Sequence, residues 1–595
     1  MPRPDLNAVR EARDLARQRL VAAQSSDGAW REPIETDILA GALYIVMLRA
    51  TGLCEEPCAF EREAKLVREP ARWINPDGGC WRTPDGQSSR ALTRIWTLAL
   101  RLAIGEVAPG SRPTAWFRPN PFLAAAELSE ITRALDRMRG FLAGASRAIP
   151  SALDAEIWFL APLMEAYADS TRPHPAVLAR VPLPRRVGPL FNFHLRQAWP
   201  TLNALRLPDG APRLSAFADE IRRLQSEGGG WCAMHFSTLL CLMALFRSGA
   251  SITDPAFRRG HAAVLRDGWT ERGATAVLSA YNGDTLFTAV GLEALVGAAG
   301  KTHDVEHAAI EFLLRSQLPS GGYTFTAAIS ADPDADTTAH ALQALARARP
   351  RMDAAFQPRT DDALRRGAEF LLSFQHRGGG FGCWSRPFFG GRGRPMGATK
   401  QLLLDLPTAD VAARIAAALA ACGYRGDHPS VRGALSFLAR ARRRRIGWWS
   451  RWWTGYLPGA SFALRAYAHP ELRCGPAARS ALAFILRSQN ADGGWGETIR
   501  ADVDPQHAGR GESVPLLSAH LASTLLRFGA PEGVAAAERA MAYLLETRAA
   551  NGGWDDRRPV FTILARALYV SYYFLNQVLP LEALSDYLAV TEQSP

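Results

Sequence analysis

Lysine is almost missing from this chain. Of its 69 basic residues only Lys65, Lys301 and Lys400 are lysines, and arginine supplies the rest. The formal net charge of +11 would suit an anionic partner. The basic residues are spread along the whole chain, however, and no nucleic-acid module stands out, so a nucleic-acid partner is set aside. Cysteine is scarce too: eight among 595 residues, with no CxxC pair and no repeated spacing, which argues against a zinc ribbon or a disulfide framework. The longest apolar run, residues 38–48, falls short of the roughly 20 residues that a membrane span needs. Residues 1–20 alternate charges at helical spacing without an apolar core, so no secretory signal is expected. The chain reads as cytoplasmic, with peripheral contact on the inner face of the membrane left open. Strand-type alternation is nearly absent, and so are a phosphate-binding loop and a serine nucleophile elbow. With 48% hydrophobic and 21% charged residues the chain is of ordinary globular composition, and its length implies more than one domain.

What the chain does have is a repeat. Gln24-Ser-Ser-Asp27-Gly28-Ala-Trp30 recurs as Gln489-Asn-Ala-Asp492-Gly493-Gly494-Trp495. Weaker copies run from Gln225 to Trp231, Gln317 to Tyr323 and Gln375 to Phe381. Arg548–Trp554 and Arg442–Trp448 have lost the glutamine, and Asn75–Trp81 is degenerate. Each copy follows a segment with apolar residues at i, i+3 and i+4, such as residues 308–315, 368–372 and 481–487, as one buried helix face requires. Glycine ends the helix because it takes left-handed conformations without steric cost. The aromatic packs back, and the glutamine amide is free to bond backbone groups at a neighbouring helix end. Two helices per copy, at a spacing of roughly 50–65 residues, predict stacked helical hairpins that close into a toroid. The expected fold is all-α, a double α/α barrel. The repeat by itself is equally compatible with a solenoid that only binds partners.

These turns resemble the structural signature of class II terpene cyclases of the squalene–hopene cyclase type. Residues 406–411, 455–459 and 489–497 look like further segments of that family, in the expected order. The family carries an Asp-x-Asp-Asp-Thr-Ala motif whose middle Asp is the general acid. Here the frame reads Asp334-Ala335-Asp336-Thr337-Thr338-Ala339. The resemblance therefore gives Asp336 the acid role, with Asp334 and Thr337 as neighbours. The chemistry agrees: protonating an isolated alkene needs a strong acid that keeps its proton at rest. A second carboxylate two residues away raises the pKa of one partner, and a helix N-terminus near Thr337 stabilises the conjugate base. Outside that family frame, the same residues would serve as an acidic N-cap.

The resemblance also implies that Asp410 and Arg414 lie behind the acid, Arg414 anchoring the spent carboxylate. The alternative is a surface helix pair worth about 0.3–0.5 kcal/mol. Asp284 matches another family acid, although Gly283 stands where an aromatic is expected. A carbocation intermediate calls for aromatic walls and exclusion of water; Trp199, Phe325, Trp384, Trp452 and Tyr572 are the candidates by resemblance, each also explicable as core packing. Leu564 and Leu568 replace pocket phenylalanines of hopene-forming enzymes. With Gly283 they predict a shorter cascade, giving about two rings, and the Asp-x-Asp-Thr-Thr variant is similar to that of bacterial cyclases acting on farnesyl diphosphate. A prenyl diphosphate would need cations at its diphosphate end, with Mg²⁺ as the corresponding cofactor. Arg392, Arg394 and Lys400 are candidates, as is the run 442–445, which is equally a solvated face or a contact with anionic lipid.

The family pattern makes the acid-bearing barrel discontinuous, from residues 1–30 and 268–595, with 31–267 as an inserted second barrel and the substrate cavity between them. Residues 176–193 form a plausible apolar access region. His303-Asp-Val-Glu306-His307 fits the H-x-x-E-H pattern of inverted zinc peptidases but has no evident third ligand in sequence, so no metal site is assigned. Cys232-x-x-His235 hints at the zinc site of protein prenyltransferase β subunits, a distant second reading because such subunits are shorter and lack the Asp-x-Asp motif.

Overall fold

The computed structural model describes residues 4–31, 34–35, 38–56, 58–81, 88–106, 118–144, 201, 204–205, 211–231, 235–279, 283–298, 300, 302–327, 333–384, 405–443, 446–468, 475–502, 504–556, 558–564 and 568–592. Helices dominate them, and the helices are of two kinds. Some are apolar on every side: in Pro515–Phe528 every residue except Arg527 is buried, and in Ala409–Ala421 all but three are. Others bury one stripe, as Pro429–Ala441 does through Val431, Ala434 and Leu438. A helix apolar all round belongs inside a domain and a striped one at its surface.

The packing follows that division. Six helices form an inner ring: Asp284–Gly297, Ala335–Ala348, Ala409–Ala421, Leu457–Ala466, Pro515–Phe528 and Tyr573–Glu592. Each packs on the next, and the last packs on the first. Each is backed by an outer helix, in order His303–Ser316, Gln357–Leu372, Pro429–Ala441, Pro476–Arg487, Pro531–Glu546 and, from the start of the chain, Leu6–Ala22. Because every inner helix returns through its outer partner, the six inner helices all begin at one rim.

The buried residues fall into two clusters. One draws on residues between Val9 and Ile34 and between Phe287 and Leu588. The other lies between Ile38 and Leu278. In the second cluster Leu39–Ala50 packs between Arg90–Ile104 and His235–Arg247, backed by Ala59–Val67, Ala125–Gly144 and Pro255–Gly268.

The repeated turns staple neighbouring outer helices. In five copies the glutamine Nε2 donates to the glycine carbonyl four residues on and to a carbonyl of the next outer helix. For Gln317 these are Gly321 at 2.8 Å and Ala363 at 2.8 Å; for Gln489 they are Gly493 at 2.7 Å and Ala536 at 2.8 Å. Gln24, Gln225 and Gln375 do the same. Where the motif ends in Trp, the indole Nε1 donates back to a helix-end carbonyl ten residues earlier, as from Trp495 to Ile485 at 2.8 Å and from Trp231 to Ile221 at 2.7 Å. That bond satisfies one of the carbonyls every helix leaves open at its C-terminus.

The expectation of almost no strand holds only for long strands. Phe561–Leu564 pairs with Leu568–Tyr572, which also pairs with Ile34–Glu35. Trp269–Arg272 pairs with Thr275–Leu278, and Cys80–Trp81 with Ser88–Ser89. Strands of two to five residues are too short to show an alternating pattern in sequence. No helix among the described residues is long and apolar enough to cross a membrane.

Gly379 has φ +83°, and a Cβ there would lie 2.1 Å from the Gly433 carbonyl oxygen on the next outer helix. Gly423 has φ +90° but open space around it. Gly379→Ala should therefore cost roughly 1–3 kcal/mol more than Gly423→Ala. Urea unfolding of the two variants measures this, and equal losses would show that the turn does not dock tightly on its neighbour.

Candidate active site

The starting rim of the inner ring gathers four acids at helix N-termini: Asp284, Asp334, Asp336 and Asp410. Asp334 is the N-cap of Ala335–Ala348: its Oδ1 accepts from the Thr337 amide at 2.6 Å. Its own amide donates to the Tyr323 carbonyl at 2.9 Å, and the Ala335 amide to the Cys383 carbonyl at 2.7 Å, which ties the motif to two loops. Asp334 is thus a cap and a site residue at once. Burial pushes its carboxyl up to about 7, against the bond from Thr337 and with the nearby charge of Asp336 adding to the rise.

Asp336 sits two residues on, less deeply buried. Arg414 donates from Nε to its Oδ1 at 2.6 Å. Among the described residues Arg414 is the one hydrogen-bond donor to the Asp336 carboxyl. Arg414 is nearly fully buried and held from behind by Asp410, whose Oδ2 lies 3.4 Å from Nη2. Asp410 is in turn fixed by Ser450 Oγ at 3.0 Å and the Arg451 amide at 2.9 Å. Burial alone would raise the Asp410 carboxyl, but Arg414 and these donors outweigh it and keep the group ionised. The Asp410–Arg414 pair is therefore no surface pair. It is the buried base of a relay that ends on Asp336.

A second arginine sets the aromatic wall beside the acid. Arg451 donates from Nη1 to Asp405 Oδ1 at 2.7 Å, and Asp405 also accepts from the amides of Cys383 at 3.0 Å and Trp384 at 2.7 Å. The Arg451 guanidinium lies 4.8 Å from the ring centre of Trp452 and 5.2 Å from that of Trp384. The two indoles meet edge to face, 5.5 Å apart. Each ring thus already has a cation over it, which fixes its orientation.

From Arg414 an unbroken chain of rings crosses the rim. The guanidinium packs 4.3 Å above Phe462. Phe462 meets Trp453 at 5.8 Å, Trp453 meets Phe561 at 4.3 Å, and Phe561 meets Tyr572 at 4.5 Å. Tyr572 then meets Phe287 edge-on at 5.7 Å. His520 lies between Trp453 and Phe462, bonded to Ser461, and burial holds it neutral, far below its usual range. Asp284 closes the far side, its Oδ1 accepting from the Ala327 amide at 2.8 Å and its Oδ2 3.5 Å from Arg31 Nε. Burial raises its carboxyl.

Of the residues singled out in sequence, Asp334, Asp336, Thr337, Asp410 and Arg414 come together directly. Trp384 and Trp452 join them through Arg451 and the shared backbone contacts, and Tyr572 through the ring chain. The inference drawn from Gly283 changes. A side chain there would strike the ring of Phe325 within 2.7 Å, so the missing aromatic is replaced in space by Phe325. Leu564 and Leu568 are paired across the hairpin. Trp199, Arg392, Arg394, Lys400, Arg444, Arg445, Cys232 and the segment 176–193 lie outside the described residues. Arg451, Asp405, Trp453, Phe462, Phe561 and Phe287 were not anticipated; the doubled Trp452-Trp453 beside Arg451 was the one local signal.

Residues 301–589 match the family model of the squalene-hopene cyclase C-terminal domain. Over these residues, just under half of its length, the chain is similar to the squalene–hopene cyclases. A probable squalene–hopene cyclase from Sinorhizobium fredii is 30% identical over 284 residues, covering 45% of this chain and 41% of that protein. The drimenyl diphosphate synthase of Streptomyces showdoensis is 27% identical over 247 residues, 40% of this chain and 39% of that protein. The matches span less than half the length of these curated relatives. The structure of ent-copalyl diphosphate synthase from Streptomyces platensis superposes with a TM-score of 0.57 at 17% identity, over 98% of this chain and 100% of that one, a likeness of fold. The acid motif and the Asp410–Arg414 pair both lie within the residues that match that domain model.

Two outcomes follow for that domain. Removing Arg414 strands the buried Asp410 charge, so Arg414→Met should lower stability by about 3–5 kcal/mol in urea unfolding; a loss below about 1 kcal/mol would mean that the pair is solvated. Asp334 binds its proton more tightly when folded. Its contribution is full below the unfolded value of 3.8 and is lost as pH rises through about 7. Wild type should therefore lose stability across that window more steeply than Asp334→Asn, by up to about 1.4 kcal/mol per pH unit. Parallel pH profiles would show that Asp334 is ionised throughout.

Proposed function

We propose that the chain is a class II terpene cyclase, in which Asp336 protonates the terminal alkene of a folded linear isoprenoid. The observation that carries this reading is the Arg414–Asp336 contact at the edge of an aromatic chain. When the Asp336 carboxyl gives up a proton, the charge left behind is already paired with the buried Arg414 guanidinium. The N-terminus of Ala335–Ala348 adds to that stabilisation. The proton passes from the carboxyl to the less substituted alkene carbon, leaving a tertiary cation. Internal alkenes attack it in turn, and loss of a proton or capture of water ends the cascade. Phe462, Trp453, Phe561, Tyr572 and Phe287 offer π faces, each worth about 0.5–2 kcal/mol to a desolvated cation.

The two buried clusters support an architecture of two α/α barrels, residues 1–30 with 268–595 and residues 31–267, with the substrate held between them. For the substrate we favour a prenyl diphosphate, giving a bicyclic drimane- or labdane-type product. The support is the Asp-x-Asp-Thr-Thr sequence and the likeness to a drimenyl diphosphate synthase. Arg392, Arg394 and Lys400, with Mg²⁺, are the proposed diphosphate partners. A squalene-type polyprene is the second reading, favoured by the length of the ring chain and by Phe325 filling the space at Gly283. Either substrate is apolar enough to be drawn from a membrane surface.

Incubation of the purified protein with farnesyl diphosphate, geranylgeranyl diphosphate and squalene, with and without Mg²⁺, tests the proposal. Products are dephosphorylated where needed and read by mass spectrometry. The expected product is cyclised, retains its diphosphate, and falls about 10²–10⁴-fold in Asp336→Asn. Cyclised squalene would replace the first substrate reading by the second. Binding of all three without any Asp336-dependent product would overturn the enzyme reading in favour of a binding scaffold.

A further inference from the structure

The H-x-x-E-H segment has a third partner that its sequence neighbourhood does not supply. His303 and His307 stand one turn apart at the start of His303–Ser316, and Asp353 reaches them from the connection before Gln357–Leu372. His303 Nε2 lies 3.2 Å from Asp353 Oδ1, and His307 Nδ1 lies 3.6 Å from Asp353 Oδ2. The ligand atoms of all three fall within 4.8 Å of one another. The two imidazoles are in contact, ring centres 3.8 Å apart. This trio sits where inner helices end, at the pole opposite the acid rim.

We infer that His303, His307 and Asp353 form a site for a divalent late first-row metal ion such as Zn²⁺, independent of the catalytic reading. Bonds of 2.0–2.1 Å at the tetrahedral angle set donor atoms roughly 3.3 Å apart, and the His303–Asp353 edge, at 3.2 Å, already approaches that. Two imidazole nitrogens and one carboxylate oxygen are the donor set such ions prefer over Mg²⁺ or Ca²⁺. Histidines at i and i+4 present both nitrogens on one helix face. The His307 ring is fixed by packing on Phe356, with ring centres 4.8 Å apart. Its Nε2 is buried without a hydrogen-bond partner, so Nδ1 is the nitrogen turned to Asp353. His303 and Asp353 are more than half exposed, which gives the ion a path in and a water for its fourth position.

The site is a clamp and not a peptidase centre. Glu306, the glutamate of the motif, is buried and engaged elsewhere: it accepts from Thr302 Oγ1 at 2.6 Å and Arg351 Nη2 at 2.9 Å. The glutamate of the motif is therefore not available as a general base for a metal-bound water. Binding would tie the start of one outer helix to the chain that leads into the next.

The test uses the full chain, stripped with a chelator, dialysed and titrated calorimetrically with ZnCl₂ and separately with NiCl₂. Thermal melts run in parallel. Wild type should take up one equivalent at micromolar affinity with either ion and melt higher in its presence. His303→Ala and Asp353→Asn, both at exposed side chains, should fold normally and each weaken uptake by at least about tenfold, with the melting shift abolished. Uptake in His303→Ala and Asp353→Asn equal to wild type would overturn the site, and so would absence of micromolar uptake by wild type.

Discussion

The acid rim depends on one buried cation. Among the described residues Arg414 links the carboxylate pinned at the start of one inner helix, Asp410, to the less deeply buried carboxyl at the start of its neighbour, Asp336. A guanidinium taken out of water is tolerable only with counter-charges in good geometry. Its two partners, its stacking on Phe462, and the donors that hold Asp410 are therefore parts of one requirement. The same requirement brings Ser450 and Arg451 to the rim, and with them the Trp384 and Trp452 rings. The aromatic surroundings of the acid are positioned by the electrostatics beneath it.

The ring architecture supplies the other half of that arrangement. Helix N-termini carry partial positive charge, and a closed ring of inner helices directs six of them to one rim. Asp284, Asp334, Asp336 and Asp410 all occupy such ends. Glu497 caps another, accepting from the amides of Tyr456 and Leu457, and burial raises its carboxyl to about 8. Carboxyl groups can thus be placed in an apolar setting without each requiring its own arginine.

Much of this was legible in sequence, for physical reasons. The glycine–aromatic turns were visible because left-handed backbone and a packed indole restrict residue choice. The inner and outer helices differ in how many faces are apolar, and the i, i+4 spacing of Asp410 and Arg414 put them on one face. The target of Arg414 lies 78 residues away along the chain, and only the family resemblance pointed to it. The ring chain could not be read. Phe287, Phe462 and Phe561 sit in segments that read as ordinary core, and which core aromatic faces the rim is decided by tertiary packing. Gly283 misled for the same reason, since the space it vacates is filled from Phe325, distant along the chain. Asp353 likewise escaped notice beside His303 and His307.

The closing of the ring has a consequence for how the molecule assembles. Leu6–Ala22 packs against Tyr573–Glu592, which is made later, and Arg10 meets Glu592 across 582 residues of chain. Between them in sequence lies the whole of the second buried cluster. Leu6–Ala22 must therefore wait, its apolar stripe uncovered, until Tyr573–Glu592 has been made. Contacts of such long loop closure form slowly, and unsatisfied apolar surface in the interval invites aggregation.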